Sequence, residues 1–276
     1  MTSTESLLKQ VETARLAKEK RTKNTNVLAE ADSLHEVVNN TVTKGHALSR
    51  AYYRFGLVEK RCMEALISKL HPLRNDNLHQ EIELSVLEYS KTYNVSEKIA
   101  YRDLAGAVEA LMHRVITTDR LENKKGKRVF TLMSAAEYKT DEGKISCEFN
   151  YHVVPHLIGM REKFSSYPLR EAINFSSSYT WRFYEILVSW ADNNSSLFVG
   201  WIKNQSVEEL RGMLGVPDSY KWSDFQKQLD VVQKELREKA NIFVHFERKK
   251  TGRKITHLNI QFIEDEQQQL PLGGDD

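Results

Sequence analysis

Cysteine is almost missing from this 276-residue sequence: Cys62 and Cys147 stand alone, too few for a disulfide framework and too widely spaced for a zinc knuckle. Both are expected as buried thiols in a reducing compartment. Long apolar runs are missing too. Runs such as Leu111-Met112, Val153-Val154 and Ile186-Leu187-Val188 fall far short of the roughly 20 residues that span a bilayer. Met1 to Gln10 has neither a basic n-region leading into an apolar stretch nor a small-residue cleavage site. These absences predict a cytoplasmic protein with no membrane partner. There is no Gly-x-x-x-x-Gly-Lys-Ser/Thr loop, no Gly-x-Ser-x-Gly and no His-hydrophobe-His pair, so neither nucleotide hydrolysis nor strand cleavage has visible machinery. His152 and His156 have a metal-ligand spacing, but Pro155 lies between them and no third ligand accompanies them. No metal or other cofactor is expected, and no catalytic residue is assigned.

What is present is 40% hydrophobic and 28% charged, the balance of a soluble globular protein. At about 150 residues per domain the length suggests two domains. The net charge of +2 hides an uneven distribution. Glu264, Asp265, Glu266, Asp275 and Asp276 form a tail without Lys or Arg, which leaves +7 on the body before it. A moderately basic body fits a nucleic-acid partner, and the clustering of the charges then decides.

Along the chain, residues 1–40 are polar and read as a flexible arm carrying the basic run Lys18, Lys20, Arg21 and Lys23. Tyr53, Leu57, Arg61, Ala65, Leu66, Ile67 and Leu70 give a helical stripe that stops before Pro72. Glu81-Ile82-Glu83-Leu84 alternates like a strand, and helix signals follow at Ser85 to Tyr93 and Ser96 to Met112. A β-hairpin is predicted around the basic tip Lys124, Lys125, Gly126, Lys127, Arg128. The same grammar returns in the second half. Ser206-Val207-Glu208-Glu209-Leu210 opens a short helix with a capping-box spacing that stops at Gly215-Val216-Pro217. A longer helix covers about Ser219 to Lys239, and a hairpin follows with the tip Lys249, Lys250, Thr251, Gly252, Arg253, Lys254. Laid side by side, Val95 falls against Val216, Tyr101-Arg102 against Tyr220-Lys221, and Gly126 against Gly252.

Short helix, turn, longer helix and basic hairpin is the order of a winged helix, whose longer helix enters the major groove while the hairpin tip reaches phosphates. The predicted fold class is therefore α+β, two tandem winged-helix domains related by pseudo-symmetry. The expected boundaries are 41–143 and 144–263, followed by an acidic flexible tail at 264–276. Candidate DNA contacts in the second half are Lys221, Ser223, Gln226 and Lys227 on the helix, types that read base edges, and Lys249, Lys250, Arg253 and Lys254 on the wing. In the first half they are Ser96, Lys98, Tyr101 and Arg102 on the helix, and Lys124, Lys125 and Lys127 on the hairpin. In the tail, Gln269, Leu270 and Leu272 resemble short peptides that dock on a bacterial sliding clamp, with Gly273 where such peptides end in Phe.

Several stretches occur together in a recognisable order: Ile145-Ser146-Cys147-Glu148-Phe149-Asn150, Val154-Pro155-His156-Leu157-Ile158-Gly159, Lys163-Phe164, and Phe175-Ser176-Ser177-Ser178-Tyr179-Thr180-Trp181-Arg182-Phe183-Tyr184-Glu185-Ile186-Leu187. With Ser206 to Arg211, Lys249 to Lys254 and Phe262, the chain from Val42 to Ile263 resembles the iteron-binding plasmid replication initiators. The resemblance implies a C-terminal domain that binds iterons, the direct repeats of an origin. It also implies an N-terminal domain that dimerises and contacts DNA. Monomers would open the origin, and dimers would repress the promoter at an inverted repeat. The host replication initiator and replicative helicase would be partners. By position, the base-reading helix falls on Lys221 to Lys227 and the phosphate-contacting wing on Lys249 to Lys254. Two rivals differ in class: a dimeric winged-helix transcriptional regulator without a replication role, and a nicking initiator acting through Tyr101 or Tyr220.

Overall fold

One order of elements is used twice along the chain. The structure is a computed structural model that describes residues 37–70, 81–119, 127–160, 162–191, 195 and 198–264. Of the arm expected over 1–40 and the tail expected over 264–276, residues 1–36 and 265–276, with Gln269, Leu270 and Leu272, lie outside the described residues. The rest belongs to the folded part: Val37–Asn39 form a 3-10 helix with Val37 buried, the Asn40 carbonyl accepts from the Leu169 N–H at 2.8 Å, and Glu264 ends the last strand. In chain order the elements are β1 (Thr41–Gly45), α1 (His46–Ser49), α2 (Leu57–Ser68), β2 (Glu81–Ser85), α3 (Val86–Tyr93) and α4 (Glu97–Met112). Next come β3 (Val115–Asp119), β4 (Lys127–Thr131), β5 (Met133–Lys139), β6 (Lys144–Phe149) and β7 (Phe164–Pro168). The last are α5 (Ser178–Trp190), β8 (Val199–Ser206), α6 (Val207–Leu214), α7 (Trp222–Ala240), β9 (Ile242–Thr251) and β10 (Lys254–Glu264).

Two antiparallel sheets share one topology, β2-β6-β5 in the first unit and β8-β10-β9 in the second. In each, the first strand leads into a short helix, a turn and a longer helix, and the last two strands form the wing. A further helix precedes each sheet, with α2 packed on α4 and α5 on α7. Local chemistry sets the helix starts. Ser85 Oγ accepts from the Glu88 N–H at 3.1 Å while Glu88 accepts from the Ser85 N–H at 2.8 Å, a complete capping box. Ser206 accepts from the Glu209 N–H at 3.4 Å, but the Glu209 carboxylate turns to Gln205, so only half of the expected box forms. At the end of α6, Gly215 has φ 65°, and a Cβ there would lie 2.7 Å from the Tyr53 carbonyl oxygen. That position needs glycine both for its left-handed backbone and for close approach of the first unit.

The strand pairing corrects two expectations. A division at 143/144 would fall between β5 and β6, which pair from Met133↔Phe149 to Lys139↔Lys144. The first unit therefore runs past residue 143, and β1 pairing with β7 carries it to Pro168. The basic hairpin expected as the first wing is β3–β4, a separate two-stranded piece. The topological counterpart of the β9–β10 wing is β5–β6, so Gly143 (φ 59°), not Gly126, answers to Gly252 (φ 63°). The helical stripe in α2 also differs. Tyr53 precedes the helix and Arg61 is half-buried with its guanidinium 5.2 Å from the Tyr93 ring centroid, whereas Lys60 and Glu64 are fully buried.

Lys60 and Glu64 belong to a cluster of five buried charges, with Lys44 from β1 and Arg182 and Glu185 from α5. Lys60 Nζ donates to Glu64 and to Glu185, each at 2.6 Å, and Lys44 donates to the same two carboxylates. Arg182 donates to Glu185 at 2.7 Å and to the backbone oxygens of Ser49, Ala51 and Met213 at 3.1, 3.0 and 3.1 Å, which ties α5 to both units. Burial opposes the Glu185 carboxylate, yet Lys44, Lys60 and Arg182 hold its pKa well below the usual range. Three cations against two carboxylates leave one positive charge in excess, and burial pushes Lys60 from 10.5 down to about 8.

A buried base whose folded pKa is depressed penalises folding at low pH. The unfolded chain binds more protons between about pH 8 and 10.5, so this group raises stability with pH in that window. Cys62 and Cys147, both buried and with raised pKa values, act with the opposite sign from about pH 9 upward. The comparison is therefore with Lys60→Met. In urea unfolding at pH 7.5 and 9.5, the wild type should gain stability relative to the variant, by at most about 1.4 kcal/mol per pH unit. A difference that stays flat would mean that Lys60 is protonated throughout.

Candidate nucleic-acid interface

The longer helix of the second unit has two faces because its sequence has two. Phe225, Leu229, Val232 and Leu236 are buried, as their spacing predicts, and Lys221, Ser223 and Lys227 are left exposed with Gln226 half-exposed beside them. The start of the helix is held in place. The Asp224 carboxylate accepts from the Lys221 N–H at 3.1 Å. Arg211 of α6 donates to the carbonyls of Pro217 (3.0 Å) and Tyr220 (2.7 Å), bracing the turn between the helices. At the far end Glu235 accepts from the Ser176 N–H at 2.5 Å and from Lys239 at 2.6 Å, anchoring α7 to the start of α5. Burial works against the Glu235 charge, but those donors hold its pKa down to about 2.

Beside this helix, the β9–β10 wing presents Lys249, Lys250, Arg253 and Lys254, all exposed. Among the described residues neither these four nor Lys221 and Lys227 has a salt-bridge partner. Arg248 lies next to them with its guanidinium 6.0 Å from the Trp222 ring centroid. Unpaired cations on a projecting tip and an adjacent helix start can meet phosphates without first breaking internal ion pairs. Wing and helix meet where Arg248 approaches Trp222, and the sequence-predicted residues of the second unit lie on these two elements.

The first unit is different. Ser96 caps α4, accepting from the Ile99 N–H at 3.4 Å, which commits its hydroxyl. Lys98 is exposed, Arg102 lies 3.1 Å from Asp103, and Tyr101 packs edge-on against Tyr138 with 5.2 Å between ring centroids. The β5–β6 wing is a charge lattice: Lys139 pairs with Glu81 (3.3 Å) and Glu83 (3.0 Å), and Lys144 with Glu83 (2.9 Å) and Glu142 (2.5 Å). Its cations are already neutralised. Lys124 and Lys125 lie outside the described residues, and Lys127 sits in β4 with a side chain that is likewise outside them. His152 is in a turn with its ring 3.7 Å from that of Tyr151, not on a helix face shared with His156.

A model of the family described as Initiator Replication protein, WH1, matches residues 41–188, and one described as Initiator Rep protein, WH2, matches residues 206–262. The chain belongs to this family of initiator replication proteins. Two winged-helix domains are thereby established, and the first match ends well beyond residue 143. Two curated relatives from Escherichia coli are similar to this chain: a replication initiation protein, 26% identical over 149 residues, and the PI protein, 32% identical over 143 residues. These matches cover 53% and 47% of this chain and 46% and 47% of the relatives, so the chain spans about half the length of the curated relatives it matches. Among solved structures, that of the Pi initiator protein in complex with iteron DNA is similar with a TM-score of 0.63. It has 24% identity and covers 83% of this chain and 98% of that one.

Sequence reasoning missed Arg211, Glu235 and the buried cluster. For the cluster a signal existed: Lys60/Glu64 and Arg182/Glu185 recur at i,i+4 and i,i+3 inside otherwise apolar helices.

Proposed function

We propose that this initiator binds origin iterons through its second winged helix, with the start of α7 in the major groove and the β9–β10 wing on adjacent phosphates. The observation that carries the reading is that Lys221 and Lys227 of the helix and Lys249, Lys250, Arg253 and Lys254 of the wing are all exposed and free of salt bridges among the described residues, in a unit whose wing meets the helix start where Arg248 approaches Trp222. Family membership and the iteron DNA in the complex of the similar Pi initiator protein support this reading. Binding is non-catalytic on this reading. Dimerisation, repression of its own promoter, and engagement of the host initiator, the replicative helicase and a sliding clamp belong to the same proposal, as does a cytoplasmic location; among the described residues no helix is long and apolar enough to cross a membrane.

Lys227→Ala should cost about 1–3 kcal/mol on the cognate repeat and relax discrimination at one or two base positions. Gel shifts over a panel of single-base site variants test this, and an unchanged preference would remove Lys227 from base reading. Incubation with supercoiled origin plasmid and divalent metal should leave the plasmid supercoiled; relaxation would favour the nicking reading through Tyr101 or Tyr220.

A further inference from the structure

The two sheets share a topology but not a surface. Facing away from the helices, the first sheet carries Glu81, Glu83, Lys139 and Lys144, the polar face expected of an antiparallel sheet covered on one side only. The same face of the second sheet is apolar at one end. Its register aligns Val199, Ile263 and Phe243 in one row across the three strands, and Trp201, Gln261 and His245 in the next. Trp201 is 50% exposed, Ile263 45%, and Trp190 at the adjoining end of α5 41%. Together they line a shallow groove of about 870 Å³. Contiguous exposed apolar surface of this kind marks a contact site. The rings also carry positive charge. Arg50 lies 4.0 Å from the Trp190 centroid, Lys203 4.1 Å from that of Trp201, and Arg237 4.7 Å from that of Phe243.

We propose that this groove is the docking site of the last twelve residues of the same sequence, Asp265 to Asp276, with Leu270 and Leu272 seated among the rings. Three observations select this occupant. The segment leaves β10 at Glu264, the residue after Ile263 in the groove. It carries four acidic groups and no basic one, opposite to the cations on the rings. From Glu264 to Leu270 is six residues, up to about 20 Å of extended chain, enough to turn back over strands spaced about 4.8 Å apart. Docking covers the two leucines, so that a protein partner reading the same peptide has to compete with this sheet.

The test is fluorine NMR and acrylamide quenching of full-length protein labelled with fluorotryptophan, with signals assigned by Trp190→Phe and Trp201→Phe. Ending the chain at Glu264 should shift the Trp190 and Trp201 signals and raise their quenching, while Trp181 and Trp222 stay unchanged. Leu270→Ala with Leu272→Ala should do the same, and a synthetic 265–276 peptide added to the shortened chain should saturably restore the original signals. Signals indifferent to both changes would overturn the proposal. Protection that instead grows with protein concentration in full-length and shortened chains alike would also overturn it, and would assign the face to a second copy. DNA binding is not the readout, so failure here is distinguishable from failure of the iteron reading.

Discussion

Glu185→Ala should destabilise the protein by about 3–5 kcal/mol, measured as a lower midpoint in urea unfolding. Glu185 accepts from Lys60 at 2.6 Å, Arg182 at 2.7 Å and the Tyr167 hydroxyl at 3.1 Å, and Lys44 donates to it as well. Without it, three buried cations share the single carboxylate of Glu64, and the low-dielectric interior offers them no water. A loss of that size is a large part of the roughly 5–15 kcal/mol that holds a typical protein folded. The exposed pair Lys234–Glu238, at 3.9 Å, is the control, and Glu238→Ala should change stability by well under about 1 kcal/mol. A loss of similar small size in Glu185→Ala would mean that the cluster admits water and that the junction between the units is looser than its hydrogen bonds indicate.

Neutralising Lys249, Lys250, Arg253 and Lys254 together should weaken DNA binding roughly 10²–10³-fold at moderate salt and make the salt dependence shallower by about 3–4 units of slope, because each phosphate contact contributes about 0.9. Changing all four should leave the ranking of sites intact, since the wing positions while the helix specifies. The matching change in the first unit, Lys139 and Lys144 to Ala, should shift the slope by less than about one unit, because those ammonium groups already face Glu81, Glu83 and Glu142. Equal effects from both wings, read from binding isotherms at several salt concentrations, would contradict the division of labour between the units.

Local signals carried much of this architecture. Ser85, Ser96 and Ser206 mark helix starts and Gly215 a helix end by side-chain and backbone chemistry that acts within four residues, and each was legible. The longer helix and hairpin of the second unit were legible for the same reason, because α7 and β9–β10 follow one another directly. The first wing was not. A Gly-containing basic hairpin, β3–β4, imitates the second wing locally, and only the pairing of β2 with β6, from Glu81↔Glu148 to Ser85↔Lys144, identifies β5–β6 as the true equivalent. β8 also escaped notice, its short apolar pattern interrupted by Gly200 and by Asn204 at φ 54°. The buried charges were illegible individually, since a Lys or Glu is ordinarily solvated and the partners of Glu185 lie as far away as Lys44.

The most direct test of the central claim is a footprinting titration of the full chain on DNA upstream of its own coding region, at moderate salt with competitor DNA, run beside Lys227→Ala. The account predicts stepwise protection of evenly spaced direct repeats, weakened and less selective in the variant. Protection of a single inverted repeat alone, or of no discrete site once competitor is present, would contradict it.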